Sequence, residues 1–300
     1  MEFEPYSGDL LQHLASFIVL AQRIEIDPRG AFEEAAGDLA VDVSVLRRRI
    51  QSLASYFESP LLDGRGATMR VTEGGERVFA SANQTLLAIE RLRETISGRV
   101  GRVSIGCTGT VTTELLPQVM RLARQRWPEL ELHIRRAGEQ AAREQLARGT
   151  IDLAVIRAKE EPADLESEFI ATDQLWLACA KEHALANSKA KMTGKALTRY
   201  PQITYRKGSY TRRRVMQTLA GATPRIEVDN KAAALRYVEL DLGIAFLSQL
   251  PGRPPKHRGV VFRDATRLFS PTSFWIVWRK GHQPRPAEAF IIDSLKNKTP

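Results

Sequence analysis

The chain has 300 residues, 43% of them hydrophobic and 26% charged, with no apolar run near the roughly 20 residues of a membrane helix. That excludes a helical membrane protein and a disordered one, and predicts two soluble domains, each able to bury its own core. The net charge of +9 points to a polyanionic partner, yet residues 1–98 hold ten arginines, no lysine and fifteen acidic residues, so bulk charge does not mark the N-terminal part as its binder.

In chain order, the start MEFEPYSGDLLQHL is acidic and lacks the apolar core of a secretion signal, so a cytoplasmic location is expected. LLQHLASFIVLAQRI (10–24) and AFEEAAGDLA (31–40) both place apolar residues on one helical face. After a turn at Val41, Asp42 is positioned to cap a third helix that buries Val45, Leu46, Ile50, Leu53 and Phe57. That helix carries SVLRRRIQSL, with Arg47, Arg48 and Arg49 fanned across the opposite face at ~100° per residue. LLDGRGATMRVT (61–72) reads as two short extended pieces joined by a Gly-Arg-Gly turn. From Gly75 to Ser97, Val78, Ala82, Thr85, Ile89, Leu92 and Ile96 alternate spacings of four and three, with Arg91, Arg93 and Glu94 outside the seam. Such a seam predicts a helix that needs a partner.

After Gly98 strands and helices alternate: RVSIGC (102–107), TELLPQVMRLARQRW (113–127), ELELHIR (129–135), EQAAREQLARG (139–149) and IDLAVI (151–156). LWLACA (175–180), QITY (202–205), helices at 211–220 and 230–240, RIEV (225–228), GIAFL (243–247), FWIVW (274–278) and a helix near 285–297 continue the pattern. This predicts doubly wound α/β architecture, with ligands at the carboxyl ends of strands. Cys107 and Cys179, each in an apolar strand-like run, read as buried thiols of a reducing compartment.

Two stretches carry a family resemblance: AFEEAAGDLAVDVSVLRRRIQSL followed by LLDGRGATMRVTEGGERV, and GRVSIGCTGTVTTELLPQVMRLARQRWPELELHIRRAGEQAAREQLARGTIDLAVI. In this order they resemble the LysR-type transcriptional regulators over essentially the whole chain. The resemblance implies a winged helix–turn–helix at 8–74, a dimerising linker helix at 75–98 and a bilobal, periplasmic-binding-protein-like effector domain at 99–300. Its first lobe is expected at 99–159 and 266–300, and its second at 160–265. Three features depart from the family pattern. About six extra residues (RIEIDPRG) appear between the first two helices compared with the usual spacing; Val43, Ser44 and Arg47 replace the usual Gln, Pro and Ser; and Leu53-Ala54 replaces Leu-Glu.

Within that frame, Ser44, Arg47 and Arg48 are expected at base edges or phosphates, because Arg can bond guanine O6 and N7 with two hydrogens. Val43 offers an apolar surface to a thymine methyl, Arg49 completes the basic fan, Arg65 sits at the wing tip, and Arg70 is a phosphate candidate. So few arginines on an acidic domain bind weakly alone, so a dimer on two half-sites is expected. In the effector domain, Thr108, Gly109, Thr110, Thr112 and Thr113 place hydroxyls and amides where a strand enters a helix, which suits an anion. The resemblance assigns Thr110 to the ligand pocket and Arg157 to a ligand carboxylate, while Thr204 and Tyr205 end a strand facing the same cleft.

The five histidines (13, 133, 183, 257 and 282) are dispersed, and no nucleophile elbow, phosphate loop or dinucleotide fingerprint is present. Neither an enzyme, a metal nor a cofactor is expected. The expected partners are double-stranded promoter DNA, a small anionic effector, RNA polymerase and further copies of the chain; the seam supports a homodimer, and the resemblance a homotetramer. The competing reading is a cytoplasmic small-molecule binding protein whose N-terminal helices serve assembly alone.

Overall fold

The structure, a computed structural model, describes residues 9–97, 101–251 and 255–297. The first eight residues, the 98–100 junction, most of the PGRPP loop and the last three residues lie outside it, as do the side chains of Arg91 and Glu94 beside the seam. The chain falls into two compact units, Met1–Arg99 with Ala147–Thr150, and Val100–Leu146 with Ile151–Pro300.

The first unit contains α1 (Leu10–Ile26), α2 (Ala31–Asp38) and α3 (Val43–Tyr56), then a wing of β1 (Leu62–Asp63) and β2 (Arg70–Val71), and the long α4 (Glu73–Ser97). Its core is Phe17, Leu20, Ala35, Leu46, Leu53, Leu61 and Phe79, nearly all without exposed surface. The extra residues after the first helix are absorbed in two ways. α1 runs two residues further than its apolar pattern predicts, and Asp27-Pro28-Arg29-Gly30 turns the chain, with Gly30 at φ +73°. Pro28 cannot continue a helix, and Gly30 takes a left-handed conformation that L side chains avoid. Asp42 does occupy the N-cap position of α3, but its side chain makes no capping hydrogen bond, so its effect there is that of a negative charge at the helix start.

Thr72 ties the wing to α4: its Oγ1 donates to the Pro60 carbonyl and accepts from the Gly75 amide at 2.9 Å. A Cβ at Gly75 would stand 2.3 Å from the Leu61 carbonyl oxygen and 2.7 Å from a Val71 methyl. Gly75→Ala is therefore expected to push the wing off α4 and lower the stability of the first unit by roughly 1–3 kcal/mol, read by denaturant unfolding.

The seam of α4 divides. Val78 and Ala82 pack into the core of their own unit, alongside Phe79 and Leu86, whereas Thr85 is exposed and donates to the Ser81 carbonyl. Further along, Ile89, Leu92 and Ile96 are 40%, 63% and 86% exposed. The expected continuous seam is thus an intradomain face followed by an unpartnered apolar stripe.

The second unit has two five-stranded sheets. Its elements are β3 (Arg102–Cys107), α5 (Gly109–Glu114), α6 (Leu116–Arg126), β4 (Glu131–Arg136), α7 (Glu139–Ala147), β5 (Leu153–Ala158) and β6 (Glu166–Thr172). β7 (Gln174–Ala180), α8 (Gly194–Leu197), β8 (Gln202–Tyr205), α9 (Tyr210–Thr218), β9 (Pro224–Val228), α10 (Lys231–Glu239), β10 (Ile244–Gln249) and β11 (Val260–Asp264) follow. β12 (Ser273–Trp278) and α11 (Pro286–Lys296) close the chain. The sheet orders are β4-β3-β5-β12-β6 and β11-β7-β10-β8-β9. β4, β3 and β5 run parallel, as do β10, β8 and β9, each set flanked by antiparallel returning strands.

One boundary needs correcting. The second lobe was expected from residue 160, but β6 pairs along its length with β12, from Ser273↔Thr172 to Trp278↔Glu166, and so belongs to the first sheet. The chain crosses to the second sheet only at Asp173. The single helix expected over 113–127 is also two, because Pro117 sits in the first turn of α6 and separates it from α5.

Beneath the first sheet lies a buried polar network. Glu288, fully enclosed at the start of α11, accepts from the Arg285 amide (2.8 Å) and Nε (2.6 Å) and pairs with His282 Nε2 at 2.8 Å. Arg285 reaches on to Asp152, 3.4 Å away, and to the Arg102 carbonyl, while Asp152 accepts from the Ser104 amide at 2.7 Å. The network thereby fastens α11 to the starts of β3 and β5.

Candidate nucleic-acid interface and effector cleft

α3 buries Leu46, Ile50 and Leu53 and turns Ser44, Arg47, Arg48, Gln51, Ser52, Ser55 and Tyr56 outward. The three adjacent arginines are not equivalent. The Arg47 guanidinium lies 4.2 Å from the centre of the Phe32 ring, a cation–π distance that holds it against α2. Arg49 turns back and donates to Ser16 Oγ on α1 at 3.0 Å. Arg48 has no intramolecular partner among the described residues and lines a shallow concavity with Gln51, Ser52, Ser55 and Tyr56. Sequence reasoning omitted those last four, although Gln51 and Ser52, three and four residues after Arg48, and Ser55 and Tyr56, one turn further, continue one stripe. Val43 is half-buried against the core, so only part of it is presented outward.

At the wing, Gly64 (φ +76°) and Gly66 (φ +55°) are left-handed and put exposed Arg65 at the tip. Its amide donates to Thr68 Oγ1, which donates back to the Arg65 carbonyl at 2.9 Å, fixing the turn. Arg70 pairs with Asp63 across the β1–β2 ladder at 2.6 Å, and that hydrogen bond, with the Gly64 amide, holds the Asp63 carboxyl below its ordinary value.

In the second unit the predicted ligand residues come from both sheets, Thr108, Thr110 and Arg157 from the first and Thr204 and Tyr205 from the second. Arg157, near the end of β5, is 8% exposed and donates to Thr211 Oγ1 of α9 at 3.0 Å, with the Tyr210 and Phe274 rings 4.9 and 5.7 Å from its guanidinium. Tyr205 ends β8 close by: burial pushes its hydroxyl up to about 12, and the charge of Arg157 opposes that shift. Thr204 is 5% exposed, and its Oγ1 finds no hydrogen-bond partner among the described residues. These three stand at the carboxyl ends of parallel strands, as the architecture predicts.

Thr108 and Thr110 follow β3, the parallel neighbour of the strand β5 that carries Arg157. Both are half-buried at the start of α5, and no bond joins them to Arg157 among the described residues. α5 has only six residues, and its Thr112 and Thr113 hydroxyls are spent on the carbonyls of Thr108 and Gly109, so the anion-binding helix start expected there is much reduced.

Residues missed from the sequence join the lobes. Asp173 pairs with Arg214 at 2.6 Å and lies 3.7 Å from Arg157. Burial pulls the Arg214 guanidinium below its ordinary value; Asp173 opposes that and the like charge of Arg157 adds to it. Nearer the rim, Lys231 Nζ bridges Glu114 Oε1 (2.9 Å) and Gln249 Oε1 (2.5 Å), and Gln249 Nε2 donates to Glu114 Oε2 (2.8 Å). Arg136, at the end of β4, donates to the Asp229 carbonyl at 2.7 Å.

The sequence model of the LysR substrate binding domain matches residues 97–299. The chain is 27% identical over 204 residues to the HTH-type transcriptional regulator AlsR of Bacillus subtilis, a match spanning 67% of this chain and 65% of that regulator. A full-length OxyR variant from Pseudomonas aeruginosa, with a single cysteine replaced, superposes with a TM-score of 0.71 at 19% identity, covering 98% of this chain and 96% of that one. Full-length CbnR complexed with its target DNA gives a TM-score of 0.61 at 21% identity, covering 95% and 98%. No helix among the described residues is long and apolar enough to cross a membrane. With two thirds of its length matched by that domain model, the chain belongs to the LysR-type family of transcriptional regulators.

Proposed function

We propose that this regulator binds double-stranded promoter DNA as a dimer, laying α3 in the major groove and the Arg65 wing tip on the flanking backbone or minor groove. A small anionic effector, held between the lobes of the second unit, adjusts that binding. The single observation that carries the DNA reading is the division of α3. One face is completely buried, and the other presents Ser44, Arg47, Arg48 and Gln51, side chains suited to base edges and phosphates. That a fold-neighbour is seen on its target DNA supports it. Arg157, Thr108 and Thr110 of the first lobe and Thr204 and Tyr205 of the second would receive the effector. Displacement of one lobe against the other then shifts the population of assemblies and the spacing of their DNA-binding heads. RNA polymerase is a further partner of such a regulator, and the cytoplasm its compartment. A homotetramer is the full assembly, built on the dimer of the α4 stripe.

The test is footprinting of the full-length protein on its own upstream DNA across a salt series, with Leu92→Glu beside it. Leu92 is 63% exposed on that stripe, and a carboxylate there opposes its burial against a second copy. The wild type is expected to protect a discrete site with steep salt dependence. The variant is expected to sediment as smaller species and to lose roughly 100-fold in affinity, because the second head no longer binds as part of the same molecule. A variant that keeps both its assembly and its footprint removes the α4 stripe as the dimer interface, and a wild type without a discrete site removes DNA binding itself.

A further inference from the structure

Where the lobes join, two buried guanidiniums share one carboxylate. Asp173 is fully enclosed in the one-residue crossover between β6 and β7. Its Oδ2 takes the close ion pair with Arg214 of the second lobe at 2.6 Å, while Arg157 of the first lobe stands at 3.7 Å, beyond hydrogen-bond reach. Oδ1 accepts from Ser248 Oγ at 2.5 Å, and Thr272 Oγ1 lies 3.5 Å from Oδ2. Arg214 also donates to the Ser270 carbonyl at 2.7 Å, so the cluster grips both the outgoing crossover and the returning one.

The charges do not balance. Arg157 and Arg214 are 8% and 7% exposed, and within 4 Å both form ion pairs with the same carboxylate. A buried cation is costly unless an anion and hydrogen bonds replace its water. Arg157 has the weaker share, making do with a hydroxyl, two ring faces and a distant carboxylate oxygen. Beside it lies a strand end whose enclosed Thr204 hydroxyl is unpartnered among the described residues. The lobe junction is one negative charge short, and the shortage falls on Arg157.

We propose that Asp173 is the resident counter-anion of the effector cleft, and that an effector bearing a single carboxylate acts by taking over Arg157 and leaving Asp173 to Arg214 alone. This rests on the effector reading above and adds what the ligand displaces and how displacement reaches the lobe junction. One added negative charge matches the two guanidiniums with two carboxylates; a dianion would leave a surplus beside Asp173. Because Asp173 is itself a crossover residue, releasing Arg157 from it loosens the first lobe's hold on the segment that leads into the second.

The test uses full-length Asp173→Asn, which keeps the shape and removes the charge. Its Tm is expected to fall by roughly 6–20 °C. Formate or acetate at tens of millimolar, at constant ionic strength, should restore about half of that loss or more, whereas acetamide should not. Absence of rescue, or equal rescue by the neutral amide, overturns the proposal. Should Asp173→Asn fail to fold, Arg157→Met/Asp173→Asn decides: with one uncompensated cation removed, the double variant is expected to be recovered and to be more stable than the single one. A double variant folding no better overturns the proposal. Footprints of Asp173→Asn with and without formate separate the two readings. Rescue with a changed footprint supports both, while rescue with an unchanged footprint supports the counter-anion and removes the coupling of the cleft to DNA.

Discussion

Arg48→Ala is expected to lower affinity for the operator roughly 30-fold or more while leaving the fold and the Tm unchanged. The reasoning starts from the triplet Arg47-Arg48-Arg49, whose members the structure assigns three different situations. Arg49 is tied to Ser16 and Arg47 rests on Phe32, so both are fixed by their own domain. Arg48 points outward on the line through Ser44 and Gln51, with no internal partner to lose among the described residues. A bidentate arginine–guanine contact is worth about 1–3 kcal/mol, and a dimer makes it twice. Electrophoretic titration at several salt concentrations checks it and separates two kinds of contact. A lost base contact leaves the salt slope nearly unchanged and relaxes preference at one position of each half-site; a lost phosphate contact shallows the slope by about one per head. Arg49→Ala is the contrasting control, expected to weaken the α1–α3 packing and to change affinity only in proportion. Equal binding by Arg48→Ala and wild type would move the DNA reading off α3.

Glu288→Ala is expected to cost the second unit about 3–5 kcal/mol of stability. The substitution strips the buried Arg285–His282–Asp152 cluster of the carboxylate that accepts from both the Arg285 side chain and the helix-start amide. Its pH dependence has a definite sign. Burial by itself would raise the Glu288 carboxyl; the His282 hydrogen bond and the Arg285 charge and amide outweigh it and hold the group below its ordinary value. A carboxyl so lowered stabilises the fold above its unfolded value, about 4.3, and ceases to do so as pH falls through its folded one. Asp152 works the other way, raised chiefly by burial against the pull of Arg285, so its contribution favours the fold when protonated and declines as pH rises. The gap in Tm between wild type and Glu288→Ala should therefore be widest near neutrality and narrow below about pH 4. A gap constant with pH would mean that the side chain matters for packing alone.

The order of elements was legible because each carries a periodicity: the buried stripes of α1 to α3, the alternation of β3 and the apolar run of β5 follow directly from side-chain spacing. β6 was missed because Glu166-Ser-Glu-Phe-Ile-Ala-Thr mixes charge with apolar residues on an edge strand, where only one neighbour imposes a pattern. The seam of α4 was read as one surface because Val78, Ala82, Leu92 and Ile96 share a spacing, and spacing does not say whether the covering face belongs to the same chain. The cleft was the least legible. Arg157, Thr204 and Tyr205 stand at strand ends, as topology predicts, whereas Asp173 and Arg214 lie 41 residues apart and meet only because two crossovers return to one place. Arg47, Arg48 and Arg49 make the same point within a single helical turn, since composition identifies the charge but not which guanidinium is already engaged.

The cations of residues 1–98 are all arginine, and that includes every basic side chain of α3 and the wing. Enzymatic acetylation acts on lysine amines, so within this stretch it has no side chain to neutralise, and amine-reactive labels have no side chain to modify. Covalent control of the lysine-directed kind can reach this regulator only through the eleven lysines of residues 99–300. Lys231, which bridges Glu114 and Gln249 across the lobes, stands among them. On the proposed function, the contact of α3 and the wing with DNA is thereby insulated from the acetyl-group supply of the cell, while the second unit stays open to it.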